Sequence, residues 1–110
     1  MRYIPFDTVK QKVRDACIDA NLYLGKDVLE GFQRGLAKEE SPLGKEILEQ
    51  LIDNARIARE EKIPLCQDTG LAVFFVEMGD QVAIEGGTLK DAINAGVREG
   101  YKDGNLRKSA

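Results

Sequence analysis

The apolar residues change period near Pro64, and that change limits the chain to a mixed α+β architecture. Ahead of it, three stretches repeat in steps of three and four. Val9, Val13, Ala16, Cys17 and Ala20 predict a first helix from Asp7, a candidate N-cap, to about Leu24, where Gly25 ends it. Val28, Leu29, Phe32 and Leu36 predict a second helix over Lys26 to Lys38, although Gly31 and Gly35 are poor helix formers. Ser41-Pro42 places a capping hydroxyl before a proline suited to the first helical position. Leu43, Ile47, Leu48, Leu51, Ile52, Ala55 and Ile57 then carry a third helix to near Glu61.

Beyond Pro64, Leu71 to Met78 is rich in Val and Phe, and Gly79-Asp80 separates it from Gln81 to Ile84, a pattern that predicts a β-hairpin. Thr88 is placed to cap a last helix, with Asp91 as its capping-box partner. The apolar positions Leu89, Ala92, Ile93 and Val97 bring that helix to near Tyr101, and Lys102 to Ala110 reads as a polar tail. The expected fold is mostly helical, about four helices with one hairpin, without internal repeats. A lone hairpin is marginal in water. Residues 1–110 are therefore expected to form a single partial domain, its sheet completed within a larger α/β domain by residues outside this chain.

Composition narrows the function classes. The charged fraction is 32% with a formal net charge of −3, and basic residues alternate with acidic ones, which argues against nucleic acid and anionic membranes as partners. The longest apolar run, Leu71 to Val76, is far too short to span a bilayer, and Met1 to Pro5 lacks the apolar core of a secretory signal, so a cytoplasmic location is expected. Two cysteines, Cys17 and Cys66, have no spacing that suggests a disulfide-stapled fold, and both are expected as thiols. Histidine is absent. Chemistry here falls to carboxylates, amides, arginine and sulfur.

Those groups gather in Ile63-Pro64-Leu65-Cys66-Gln67-Asp68-Thr69-Gly70, between the third helix and the apolar run. A loop held by rigid elements on both sides is a favourable place for side chains that act on a ligand. Proline restricts its entry and Gly70 permits an exit turn closed to other residues. By residue type alone, Cys66 is open to three readings: metal or cluster ligand, nucleophile, or buried thiol. There is no CxxC pair, so neither a zinc site nor a complete iron–sulfur site can be assembled from this chain alone.

The same segment, followed by the apolar run, resembles the first cluster motif of the class I fumarase and tartrate dehydratase family. The third helix with Asn54-Ala55 ahead of it, and Asn105-Leu106-Arg107-Lys108-Ser109 about forty residues later, strengthen the resemblance. It covers essentially the whole chain but only the opening part of the family's α region. It implies that Cys66 is one of three cysteines holding a [4Fe-4S] cluster, the others lying outside this chain, with one iron left open as a Lewis acid for a 2-hydroxy acid. It implies further that Gln67 and Asp68 contact substrate and that Asp68 assists proton transfer at the hydroxyl. Arg107 would clamp a substrate carboxylate, its planar guanidinium forming paired charge-assisted hydrogen bonds. The implied partners are a small dicarboxylate, the remaining α region, and a β region or subunit within a homo- or hetero-oligomer. This chain alone is expected to be inactive.

Each residue also has a plainer reading. Asp68 suits a solvated turn, Arg107 a solvated tail, and Gln67 and Thr69 suit loop-bracing hydrogen bonds. Cys17 lies on the apolar stripe of the first helix and reads as a small core residue. Fumarate and malate lead as substrates, with tartrate and methylfumarate as alternatives, because the residues that discriminate among them lie in pocket walls. A non-catalytic helical interaction module would explain the stripes but not the Cys-Gln-Asp-Thr-Gly loop. A redox-sensing thiol lacks a resolving cysteine nearby.

Overall fold

The computed structural model describes residues 1–66 and 71–107. In chain order these form β1 (Arg2–Pro5), α1 (Phe6–Leu22), α2 (Lys26–Lys38), α3 (Pro42–Glu61), β2 (Val82–Glu85) and α4 (Leu89–Asp103). The α+β class and its helical predominance agree with the pattern of the sequence. The chain divides into two compact units, one of Met1–Asp19 with Asp68–Ala110 and the other of Ala20–Gln67.

The expected hairpin does not form. Val82–Glu85 pairs in parallel with Arg2–Pro5, in the register Arg2 to Val82 through Pro5 to Glu85, and the Arg2 N–H donates to the Gln81 carbonyl at 2.7 Å. The partner of β2 thus comes from the chain's first residues. A four-residue strand ending in proline is too short to show alternation, which hid it in the sequence. Leu71 to Met78, expected as the other hairpin strand, adopts no regular secondary structure, and its side chains are exposed, Phe75 at 96%.

The core of the first unit is a seam between α1 and α4. Ala92 and Gly96 and Gly100 recur every fourth residue on α4 and are buried there. A Cβ at Gly96 would fall 2.6 Å from both the Lys10 carbonyl and the Val13 Cβ, and one at Gly100 would fall 2.9 Å from the Cys17 Cβ. Backbone meets backbone along this face, as small residues at fourfold spacing allow. Two ion pairs flank the seam: Lys10 to Glu99 at 3.3 Å and Arg14 to Asp103 at 2.9 Å. The bond to Glu99, helped by Asp7, holds the Lys10 ammonium above its ordinary pKa. Cys17 is buried, as its place on the stripe suggested, and burial pushes its thiol up. Ala16 and Ala20, read as part of the same stripe, are exposed. α1 begins at Phe6, directly after β1, so Asp7 falls in its first turn instead of capping it; its carboxylate still complements the helix N-terminus there.

In the second unit α2 packs on α3. This contact is made by side chains: a Cβ at Gly35 would meet Leu48 Cδ1 at 3.7 Å, ordinary van der Waals distance. α2 has no fully buried residue, whereas α3 buries Ala55 and Ala58. Both helices predicted here have the expected bounds, and the Ser41 hydroxyl accepts from the Gly44 N–H at 3.3 Å, capping α3 with Pro42 in its first turn. α4 is capped in the same way, Thr88 Oγ1 accepting from the Asp91 N–H at 3.1 Å.

Candidate functional site

The segment that delivers Cys66 starts where α3 stops. Lys62 takes a left-handed conformation, φ 58°, and its N–H and that of Ile63 both donate to the Ala58 carbonyl. That cap satisfies helix-end acceptors and turns the chain out of the helix. The Lys62 ammonium donates to the Tyr23 hydroxyl and lies 4.6 Å from the Tyr23 ring centroid. Leu65 is then tied on both sides. Its N–H donates to the Asn21 carbonyl at 2.7 Å, and its carbonyl accepts from the Asn54 side-chain amide at 2.8 Å. The next residue is Cys66, an exposed thiol. All of these residues belong to the second unit.

Asn54-Ala55, noted in the sequence only as part of a resemblance, therefore has a physical task. Ala55 is buried in α3, and Asn54 reaches from the exposed side of that helix to the loop eleven residues later. A signal for this was available: asparagine in the interior of an amphipathic helix is less favourable than alanine, so something must retain it.

Arg107 follows a second anchored end. The Leu106 N–H donates to the Tyr101 carbonyl at 2.9 Å across a left-handed Asn105, φ 55°, and the Leu106 side chain is buried. This is a Schellman-type closure, whose apolar residue packs back on the helix. It corrects the expectation of a polar tail from Lys102, since α4 runs to Asp103 and Leu106 belongs to the core of the first unit. Arg107 itself is exposed. Cys66 and Arg107 thus each leave a hydrogen-bonded helix end, one in each unit. Gln67 and Asp68, with Thr69 and Gly70, lie outside the described residues.

Among the described residues no group of three or more Cys, Asp or Glu side chains is gathered to hold a metal ion. Cys66 fits a cluster as a single exposed sulfur donor at the end of a braced loop, so any cluster held through it draws its other ligands from outside the described residues. Also among the described residues, no helix is long and apolar enough to cross a membrane.

Comparison with known sequences adds to this geometry. The family profile described as Fumarate hydratase (Fumerase) matches residues 10–110. The chain belongs to that family. It is 33% identical over 102 residues to a Methanocaldococcus jannaschii protein named "Putative L(+)-tartrate dehydratase subunit alpha", an alignment covering 92% of this chain and 34% of that protein. It is 33% identical over 92 residues to Fumarate hydratase 2 of Leishmania major, covering 83% of this chain and 16% of that protein. It is 32% identical over 84 residues to the L(+)-tartrate dehydratase subunit alpha of Escherichia coli (strain K12), covering 76% and 27% respectively. The chain therefore spans about a third of the length of these family members or less.

Proposed function

We propose that this chain is the opening part of a [4Fe-4S]-dependent hydro-lyase that reversibly adds or removes water on a small dicarboxylic 2-hydroxy acid, with fumarate and malate as the leading pair. It forms a partial domain there, inactive by itself, and acts in the cytoplasm beside the remaining α region and a β region or subunit, in a homo- or hetero-oligomer. The observation that carries the proposal is the exposed Cys66 thiol on a loop braced from α3, in a chain matched to the fumarate hydratase family over residues 10–110.

Cys66 is the cluster ligand that this chain supplies. When bound, the cluster supplies a Lewis-acidic iron for the substrate hydroxyl and its neighbouring carboxylate. Asp68 hands a proton to the hydroxyl as its C–O bond breaks and takes one back in the hydration direction. Gln67 orients the same end of the substrate by hydrogen bonding. Arg107 holds a carboxylate in its planar fork. The proton lost from the adjacent carbon goes to a base in the β region, while the hydroxyl leaves as water with the proton from Asp68; the base then gives up its proton and Asp68 regains one through solvent, so one net water is released. Tartrate and methylfumarate remain alternatives of the same reaction class.

The exposed apolar residues Leu43, Ile47 and Leu51 on α3 favour a second reading, a non-catalytic helical interaction module, but that reading leaves the Cys66 loop without a task. The test separates them. In the complete enzyme Cys66→Ser should lose the cluster's visible absorbance and iron, because a hard alkoxide replaces a soft thiolate. Asp68→Asn should keep the cluster and lower turnover by about 10²–10⁴-fold. Arg107→Lys should mainly raise KM. A cluster fully retained in Cys66→Ser, or near-normal turnover in Asp68→Asn, would remove that residue from the site.

A further inference from the structure

We propose that Asn54 is a positioning residue for Cys66: its side-chain amide holds the Leu65–Cys66 peptide so that the thiol leaves the loop from one fixed point and over a narrowed range of directions. Leu65 and Cys66 share the peptide whose oxygen accepts from Asn54 at 2.8 Å. The peptide on the other side of Leu65 is tied by its N–H to the Asn21 carbonyl at 2.7 Å. With the peptides flanking Leu65 both tethered, neither can rotate about the Leu65 Cα without breaking a hydrogen bond. The Cα of Cys66 lies in the plane of the second of those peptides, so the tethers fix where it stands and leave the Cys66 φ as the backbone rotation that aims its Cα–Cβ bond.

The choice of anchor fits the task. Asn54 projects from α3, and Arg56, two residues on, has its guanidinium engaged with Asp53 and Glu60 along the same helix. Asn54 instead reaches out of the helix to the loop, which makes it a side chain through which α3 holds the Leu65–Cys66 peptide. A ligand to a metal centre must be held to about half an ångström, and the groups behind it tune affinity accordingly. That functional consequence rests on the reading of Cys66 as an iron ligand, whereas the positioning itself does not.

The experiment uses the chain without iron. In Asn54→Asp the side chain keeps its size and loses its donor; in Asn54→Gln an amide donor is kept. By NMR, Asn54→Asp should raise the exchange rate of the Leu65 amide about three- to tenfold, because freeing the Leu65 carbonyl removes one ordinary hydrogen bond that opposes opening of the loop and so release of the Leu65 N–H from Asn21, while amides in the centre of α3 stay protected. The Hα–Hβ couplings of Cys66 should move from values of one dominant rotamer to averaged ones. Asn54→Gln should restore most of both. Unchanged Leu65 exchange and unchanged Cys66 couplings in Asn54→Asp would overturn the proposal, as would a Gln variant no better than Asp. Should Asn54→Asp fail to fold, Asn54→Gln against the parent chain decides: retained Cys66 couplings support positioning, and averaged couplings with an intact α3 refute it. A cluster retained in Cys66→Ser would defeat only the assignment of Cys66, since neither NMR readout involves iron.

Discussion

The two helix pairs of this chain solve the same packing problem by opposite means. α4 meets α1 through Gly96 and Gly100, so close that an added methyl would strike the Lys10 carbonyl or the Cys17 Cβ. α2 meets α3 through side chains, around an open cleft of about 270 Å³ lined by Leu36, Glu49, Ile52, Asp53 and Arg56. A glycine in the first pair is part of the contact, and a glycine in the second is only a weak helix former. The first pair should therefore resist any change at its seam, and the second should accept improvement.

The largest test of that contrast is Gly96→Ala. A gain in helix propensity of about 1 kcal/mol favours it. Against this stands a Cβ 2.6 Å from a backbone carbonyl and from a β-branched Cβ, neither of which can turn aside. Overpacking of that kind reaches about 3 kcal/mol, so a net loss of about 2 is expected. Urea unfolding followed by circular dichroism should show a lower midpoint. A raised midpoint would mean that the seam yields and that the two pairs do not differ.

A smaller effect should be equal in both units. Thr88→Ala removes the acceptor for the Asp91 N–H, and Ser41→Ala the acceptor for the Gly44 N–H. Each should cost about 1 kcal/mol, because a cap acts on its own first turn whatever the helix packs against. A marked difference between the two midpoints would show that one cap also serves tertiary contacts, which would blur the comparison.

Apolar periodicity revealed the second unit better than the first for the same reason. α2 and α3 carry Leu29, Phe32, Leu36, Leu48 and Ile52 at helical spacing, and their predicted bounds agree with the structure. The seam of α4 is written in glycines, which register as missing hydrophobicity, so Gly96 and Gly100 went unread. β1 is hidden because a parallel partner eighty positions away leaves no turn signature, and the sequence pairs Gln81 to Ile84 with the nearest extended run instead. Of the candidate functional residues, Cys66 and Arg107 were legible as residue types in a family pattern. What holds them, the Asn54 bond to Leu65 and the burial of Leu106, was not, since a long-range hydrogen bond and a buried leucine in a polar stretch have no period.

The smallest expected effect is also the one that reverses sign. A Cβ at Gly31 would meet only the far end of the Arg34 side chain, at 3.9 Å, and one at Gly35 would make ordinary contact with Leu48. Neither glycine is at positive φ, so alanine enters both positions without backbone strain. Gly31→Ala should then stabilise the chain by about 0.5–1 kcal/mol, chiefly by removing freedom from the unfolded state. Gly35→Ala should do at least as well, because its methyl adds contact with Leu48. A rise in the urea midpoint for both, beside a fall for Gly96→Ala, would establish that identical substitutions in two helices of one chain are sorted by what faces the missing Cβ. A loss at Gly31 would break the comparison, since nothing within reach of that position could account for it except a tighter approach of α2 to α3 than the cleft between them allows.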